Sequence, residues 1–218
     1  MDIYQIETDL ENPDFQYRLK AIQALKDYPS DTAVPLLLSK LQDPEFLVRS
    51  FISMALGKQQ VADSFAALLQ IMKFDNTPSV RAEAANSLSL FGKCSASHLV
   101  STFLRDSHWL VRRSIFAALM DLECYCELLE VCLNALNNED PVVTEAAVEA
   151  LATLAGTDQH STALKHLLTL ADSTSEQIRR KAVYGLKNFD DLEAKQKLVQ
   201  LRQDPNHQVV AAALETLI

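Results

Sequence analysis

The stretch DSHWLVRRSIFAAL, Asp106 to Leu119, decides how this chain is read, because its pattern recurs six more times at nearly constant spacing. Aligned on the residue that is Arg112 here, the copies fall at Arg18, Arg49, Arg81, Arg112, Thr144, Arg179 and Val210, with steps of 31, 32, 31, 32, 35 and 31 residues. One residue before this anchor stand Tyr17, Val48, Val80, Val111, Val143, Ile178 and Val209. Seven after it stand Leu25, Leu56, Leu88, Leu119, Leu151, Leu186 and Leu217, a column without exception. Between them, three after the anchor, come Ala21, Ile52, Ala84, Ile115, Ala147, Ala182 and Ala213, and six after it Ala24, Ala55, Ser87, Ala118, Ala150, Gly185 and Thr216. Offsets of −1, +3 and +7 trace one face of a helix, and small residues beside them let a neighbouring backbone approach. Each buried leucine contributes roughly 1.5 to 3 kcal/mol, which makes these columns structural.

A period near 32 residues overrides the expectation of a globular domain drawn from 218 residues. Each repeat has room for a second helix ahead of the anchored one, at 2–11, 32–42, 61–74, 96–105, 124–137, 160–171 and 191–203. The expected architecture is therefore all-α: one continuous α-solenoid domain over 1–218, built of seven hairpins. The repeats run about 1–29, 30–59, 60–92, 93–122, 123–156, 157–189 and 190–218. Turn signals between paired helices include Asn12-Pro13, Asp43-Pro44, Asp106-Ser107, Asp140-Pro141 and Asp204-Pro205, where an acidic or amide side chain caps amides and proline fits a first turn. Gly57, Gly92 and Gly156 are expected as left-handed caps ending the anchored helices. At the N-terminus Ile3, Ile6 and Leu10 share one side, and Asp2, Gln5, Glu7 and Asp9 fit the polar exterior of a capping repeat. The other end, VVAAALETLI over 209–218, lacks such a cap and is a candidate docking end, testable with Leu217→Asp.

Net charge is −9, from 29 acids against 20 bases, which argues against binding a nucleic-acid backbone and against a helical-repeat DNA glycosylase with a basic groove. No run of about 18 apolar residues is present to span a bilayer, and Met1 leads into an amphipathic stretch without the pattern of a secretory signal. The expectation is a soluble cytoplasmic protein. Cys94, Cys124, Cys126 and Cys132 form neither a disulfide framework nor a CxxC pair, and read as reduced, mainly buried thiols. No Ser/His/Asp set, phosphate loop or HExxH motif appears.

The consensus D-P-x-x-x-V-R-x-x-A-x-x-A-L, carried best by DPEFLVRSFISMAL at 43–56 and DSHWLVRRSIFAAL at 106–119, resembles the HEAT repeat. More narrowly, its short repeats resemble those of the phycobilisome lyase HEAT-like family, which includes E/F-type phycobilin lyases and NblB-like phycobilisome degradation proteins. The resemblance implies an armadillo-type fold, a right-handed α-solenoid that stacks hairpins. It also implies a protein-binding role on a phycobiliprotein or the phycobilisome of a cyanobacterium, with no catalytic residues assigned. Two alternatives stand beside it: a bilin lyase subunit that handles phycocyanobilin as a transient ligand with a second HEAT subunit, and a generic scaffold for an iron–sulfur assembly partner. The His-Cys pair of isomerising members is absent, since none of His98, His108, His160, His166 and His207 precedes a cysteine. The HEAT pattern further implies a ladder between turn aspartates (Asp43, Asp75, Asp106) and anchor arginines (Arg49, Arg81, Arg112).

Three residues before the anchor, at the opening of the second helix, stand Phe15, Phe46, Pro78, Trp109, Pro141, Glu176 and His207. Phe15, Phe46 and Trp109 form a broken aromatic row along one rim, and tryptophan is enriched at binding hot spots. Arg105, Arg112 and Arg113 are expected as a local positive spot facing the inner surface, suited to bilin propionates or an acidic partner through bidentate guanidinium–carboxylate pairing. The clusters Arg179-Arg180-Lys181 and Lys195-Gln196-Lys197 read as solvated faces.

Overall fold

The columns become a stack of helical hairpins in the computed structural model, which describes residues 1–137 and 140–215. Thr216 and Leu217, the last members of two columns, and the Leu217 test of a docking end lie outside the described residues. The first helices of the hairpins are α1 (Ile3–Leu10), α3 (Ser30–Ser39), α5 (Ala62–Phe74), α7 (Ala96–Phe103), α9 (Tyr125–Leu136), α11 (His160–Leu170) and α13 (Leu192–Leu201). The anchored second helices are α2 (Phe15–Ala24), α4 (Phe46–Gln59), α6 (Pro78–Ser89), α8 (Trp109–Asp121), α10 (Pro141–Ala152), α12 (Glu176–Leu186) and α14 (His207–Leu214). Short 3-10 turns occupy Leu25–Asp27 and Lys93–Ser95, and no strand occurs among the described residues. This is an α-solenoid. Its contacts group into two compact units, Met1–Leu122 and Glu123–Ile218, where the repeat pattern alone reads as one domain.

Within each unit, second helices stack on second helices (α2, α4, α6, α8; α10, α12, α14), and these stacks are tighter than those of the first helices. The cause is the column chemistry. Leu25, Leu56, Leu88, Leu119, Leu151 and Leu186 are all fully buried, as are the described residues three after the anchor. Tyr17 departs from its column: it is exposed, with the Lys20 ammonium 5.2 Å from its ring centre.

The glycines divide in two. Gly92 and Gly156 adopt φ of +81° and +76° but are not the helix caps expected of them: α6 is closed by Leu90 and α10 by Thr153, and both glycines turn the chain in the loops that follow. Gly57 instead lies inside α4, which runs on to Gln59 before Gln60 turns left-handed at φ 48°. A Cβ on Gly57 would stand 2.8 Å from Ser87 Cβ, so its role is the close approach of α4 to α6. A second departure is Asp9. Expected on the polar exterior, it is only 6% exposed, and its carboxylate accepts from Gln5 Nε2 at 2.9 Å.

Candidate functional site

The turn edge of the hairpins is built by the arginine–aspartate ladder. Arg18 Nε and Nη2 donate to the two carboxylate oxygens of Asp43 at 2.7 and 3.0 Å, Arg49 to Asp75 at 2.7 and 3.0 Å, and Arg81 to Asp106 at 2.7 and 3.2 Å. In the second unit Arg179 holds Asp204 in the same way, at 2.7 and 2.8 Å. Each arginine also donates Nη1 to a carbonyl of its own turn: Asn12, Asp43, Asp75 and Ser173 respectively. Each aspartate also accepts from a backbone amide two residues on, as Asp43 does from Glu45 and Asp75 from Thr77. These aspartates therefore close turns, whereas the helix-capping side chains stand directly before the helix, as Asp14, His108 and Asp140 do. Planar, bidentate and largely dry, the rungs fix both the turn and the step to the next repeat. Hydrogen bonding to Asp75 raises the Arg49 pKa, and that to Arg179 lowers the Asp204 pKa.

Against this frame the aromatic column lies at the first position of the second helices. Phe46 and Trp109 are 44% and 40% exposed, while Phe15 is half-buried. Trp109 is braced by His108, whose ring lies 5.9 Å away in a stacked arrangement and whose Nδ1 accepts from the Leu110 amide at 3.2 Å. Pro78 interrupts the row between Phe46 and Trp109.

The three arginines Arg105, Arg112 and Arg113 do not form one positive spot. Arg112 is buried: its Nε donates to the Asp106 carbonyl at 2.7 Å, and its guanidinium lies 5.2 Å from the Phe103 ring centre. Phe103 in turn packs edge-on against Phe116 at 5.1 Å. Arg113, one position further round α8, is exposed. Arg105 follows the end of α7 and opens onto a turn-edge cleft of about 390 Å³ with Phe74 and Lys73. Three residues close in sequence are thus separated by the 100° turn of the helix and by the turn that precedes it.

A smaller cleft of about 270 Å³ lies between α4, α6 and α8, walled by Met54, Leu90 and Ala118, with Glu83 and Asp121 among its polar groups. Burial raises the Glu83 pKa above the usual carboxylate range, partly offset by hydrogen bonds from Ser87 and Asn86. Met54 and Leu90 are exposed, as is Leu47 on α4. The second helices of the other unit expose Val142, Tyr184 and Leu214 and carry polar links between them: Lys181 binds Glu149, Arg180 donates to Gln208 at 2.9 Å, and Lys187 lies 4.6 Å above the Tyr184 ring. The basic cluster at 195–197 is also paired, Lys197 with Asp172 and Lys195 with Asp190, and so is not simply solvated.

One side-chain pair escapes the sequence reading, which tests the histidines only for motifs such as a following cysteine. His160 Nε2 lies 2.8 Å from Asp191, Nδ1 accepts the Gly156 amide at 2.9 Å, and the ring rests on Phe189 at 4.8 Å. Both nitrogens are engaged, so the imidazole ties a loop to the start of α13 and has no free lone pair for base chemistry. Cys124 and Cys132 are buried, and burial pushes the Cys132 thiol far up; Cys94 and Cys126 are exposed. Among the described residues no three His, Cys, Asp or Glu side chains converge on a possible metal site. Nor is any described helix long and apolar enough to cross a membrane.

The HEAT-repeat profile matches residues 7–89, 40–120, 65–151 and 129–218, which together cover nearly the whole chain. The chain belongs to the HEAT-repeat family. No curated protein matches its sequence. Among solved structures, this HEAT protein is similar to the complex of CpcE and CpcF of phycocyanin lyase from Nostoc sp. PCC7120. That match has 18% identity and a TM-score of 0.54 over 100% of this chain and 95% of that one. Human deoxyhypusine hydroxylase matches with 16% identity and a TM-score of 0.50 over 97% and 93% of the two chains. An engineered protein matches with 18% identity and a TM-score of 0.53, over 100% of this chain and 68% of that one. At these identities the likeness is one of fold, a HEAT solenoid similar to the phycocyanin lyase subunits.

Proposed function

We propose that this HEAT protein is a binding scaffold that acts on a phycobiliprotein or the phycobilisome of a cyanobacterium, in the manner of NblB-like adaptors. The observation that supports this reading most is the end-to-end match to a phycocyanin lyase complex, which leaves no part of this chain unaligned. Binding rather than bond-breaking is favoured because the exposed apolar side chains Phe46, Leu47, Met54 and Trp109 of the first unit are contact groups, and His160, the histidine beside a carboxylate, has both ring nitrogens engaged. Phe46 on α4 and Trp109 on α8 are the anchors, and Arg113, one helical turn on from Trp109, supplies a guanidinium for a carboxylate of the partner.

The test is a titration of the purified chain with assembled phycocyanin, run in parallel with free phycocyanobilin and with an apo-phycobiliprotein plus pigment. Saturable binding to phycocyanin without free pigment, weakened about tenfold or more by Trp109→Ala, is the expected result. Covalent transfer of pigment to the apo-protein moves the assignment to a lyase subunit. Absence of binding to every phycobiliprotein form overturns the reading.

A further inference from the structure

The residue seven before each anchor, at or just past the end of each first helix, reads Glu11, Gln42, Phe74, Arg105, Asn137, Asp172 and Gln203. Six are polar and one is phenylalanine. Phe74 is 71% exposed, so no packing demand of the fold accounts for it. It also stands between two clefts on the turn edge, one of about 360 Å³ shared with Gln42 and one of about 390 Å³ shared with Arg105. The second cleft has an excess of positive charge. Its Asp106 is gripped by Arg81 and its Asp75 by Arg49, while Lys73 and Arg105 have no ion-pair partner among the described residues. Thr102, only 5% exposed, lines the same cleft with its hydroxyl buried and unbonded. On a chain of net charge −9, this is a local cationic cleft beside an exposed aromatic ring.

We infer that the turn edge of the first unit docks an extended segment of a partner protein that carries a large apolar side chain about three residues from a carboxylate. The apolar side chain packs against Phe74, and the carboxylate pairs with Arg105 and Lys73. The spacing follows from the repeat. Phe74 and Arg105 occupy equivalent positions one repeat apart, helices pack roughly 8–10 Å from each other, and a polyproline II segment rises about 3.1 Å per residue with every third side chain on one side. The site uses none of Phe46, Trp109 and Arg113, on which the proposed phycobiliprotein binding rests, so either assignment can fail without the other.

The experiment measures fluorescence anisotropy of labelled Gly/Ser peptides on the full chain. Each peptide bears one tryptophan and one glutamate, with separations from one to about six residues. Affinity is expected to peak near a separation of about three, to fall about tenfold with Phe74→Ser or Arg105→Glu, and to weaken with salt in the wild type. The Arg105→Glu chain should prefer peptides in which lysine replaces glutamate. Both positions are exposed, so unfolding temperatures serve as the check that the variants fold. Binding independent of separation, or unchanged in both variants, overturns the inference. Concentration-dependent self-association abolished by Phe74→Ser also overturns it and assigns the edge to a second copy of the chain.

Discussion

Arg18, Arg49 and Arg81 of the first unit each grip an aspartate of the next repeat through two nitrogens, whereas in the second unit Arg179 alone does so among the described residues. There Thr144 stands in the arginine column and Ser173 in the aspartate column, so both halves of one rung are replaced by hydroxyls that satisfy themselves locally. Thr144 donates to the Asp140 carbonyl, and Ser173 accepts from the Ser175 amide. Lys181 of one repeat instead reaches Glu149 of the preceding one, so a surface pair spans the step whose buried rung is missing. Surface pairs as such are common to both units, Lys197–Asp172 in the second and Lys40–Glu11 in the first. So are exposed apolar side chains on second helices, Phe46, Leu47, Met54 and Trp109 in one and Val142, Tyr184 and Leu214 in the other. What separates the units is therefore the buried ladder.

The largest effect expected from this contrast is on stability. Arg49→Ala strips Asp75 of its partner in a nearly dry site, and losing one member of such a pair costs about 3–5 kcal/mol. Lys197→Ala removes a surface pair whose aspartate side chain is 65% exposed, at a cost of about 0–1 kcal/mol. Denaturant melts of the two variants measure the gap, and equal losses would break the comparison. Thr144→Arg combined with Ser173→Asp sharpens it. The rebuilt rung should leave the double variant more stable than the sum of its singles by about 0.5–3 kcal/mol in a mutant cycle.

A smaller difference is expected between two helix glycines. Gly57→Ala drives a methyl to 2.8 Å from Ser87 Cβ, and overpacking of this kind costs about 1–3 kcal/mol. Gly185→Ala meets the tip of Leu167 at 3.0 Å, a flexible side chain, and the gain of about 1 kcal/mol from replacing a helical glycine offsets the crowding. Thermal melts should show a clear loss for the first and little change for the second, and Ser87→Gly should restore the Gly57→Ala chain.

These cases mark what is legible in a repeat sequence. The leucine and valine columns, the hairpin ranges and the ladder partners are local in register, so one alignment on Arg112 exposes them. Gly57 is not, because glycine serves equally as a cap or as a close contact, and the deciding residue, Ser87, lies in another repeat. His160 and Asp191 are likewise joined only by the path of a loop. Phe74 is legible in principle, as the one apolar member of a polar column. Columns chosen for recurring apolar residues do not display it, and its exposure becomes evident only once the helices are stacked. The adjacency of Arg105, Arg112 and Arg113 misleads in the opposite direction, since rotation about the helix sends one inward and another out.

The smallest expected effect separates the units by the sign of their response to acid. Asp204, held by Arg179, has a folded pKa below its unfolded value. Its contribution is therefore intact above the unfolded pKa and is lost as pH falls through the folded one. Glu83 in the first unit is the reverse: burial raises its folded pKa, so the folded state binds the proton more tightly than the unfolded chain. Its carboxylate costs stability at neutral pH, and that cost disappears as pH falls through the folded pKa toward the unfolded one. Glu83→Gln should accordingly stabilise the chain at neutral pH by less than about 1 kcal/mol, the site being half open to solvent, and by nothing in mild acid. Asp204→Asn should destabilise at neutral pH and lose its effect only at lower pH. Melting both variants across pH 3 to 8 reads the two signs directly; a Glu83→Gln gain that persists unchanged into acid would show that the carboxylate is not the strained group in the α4–α6–α8 cleft.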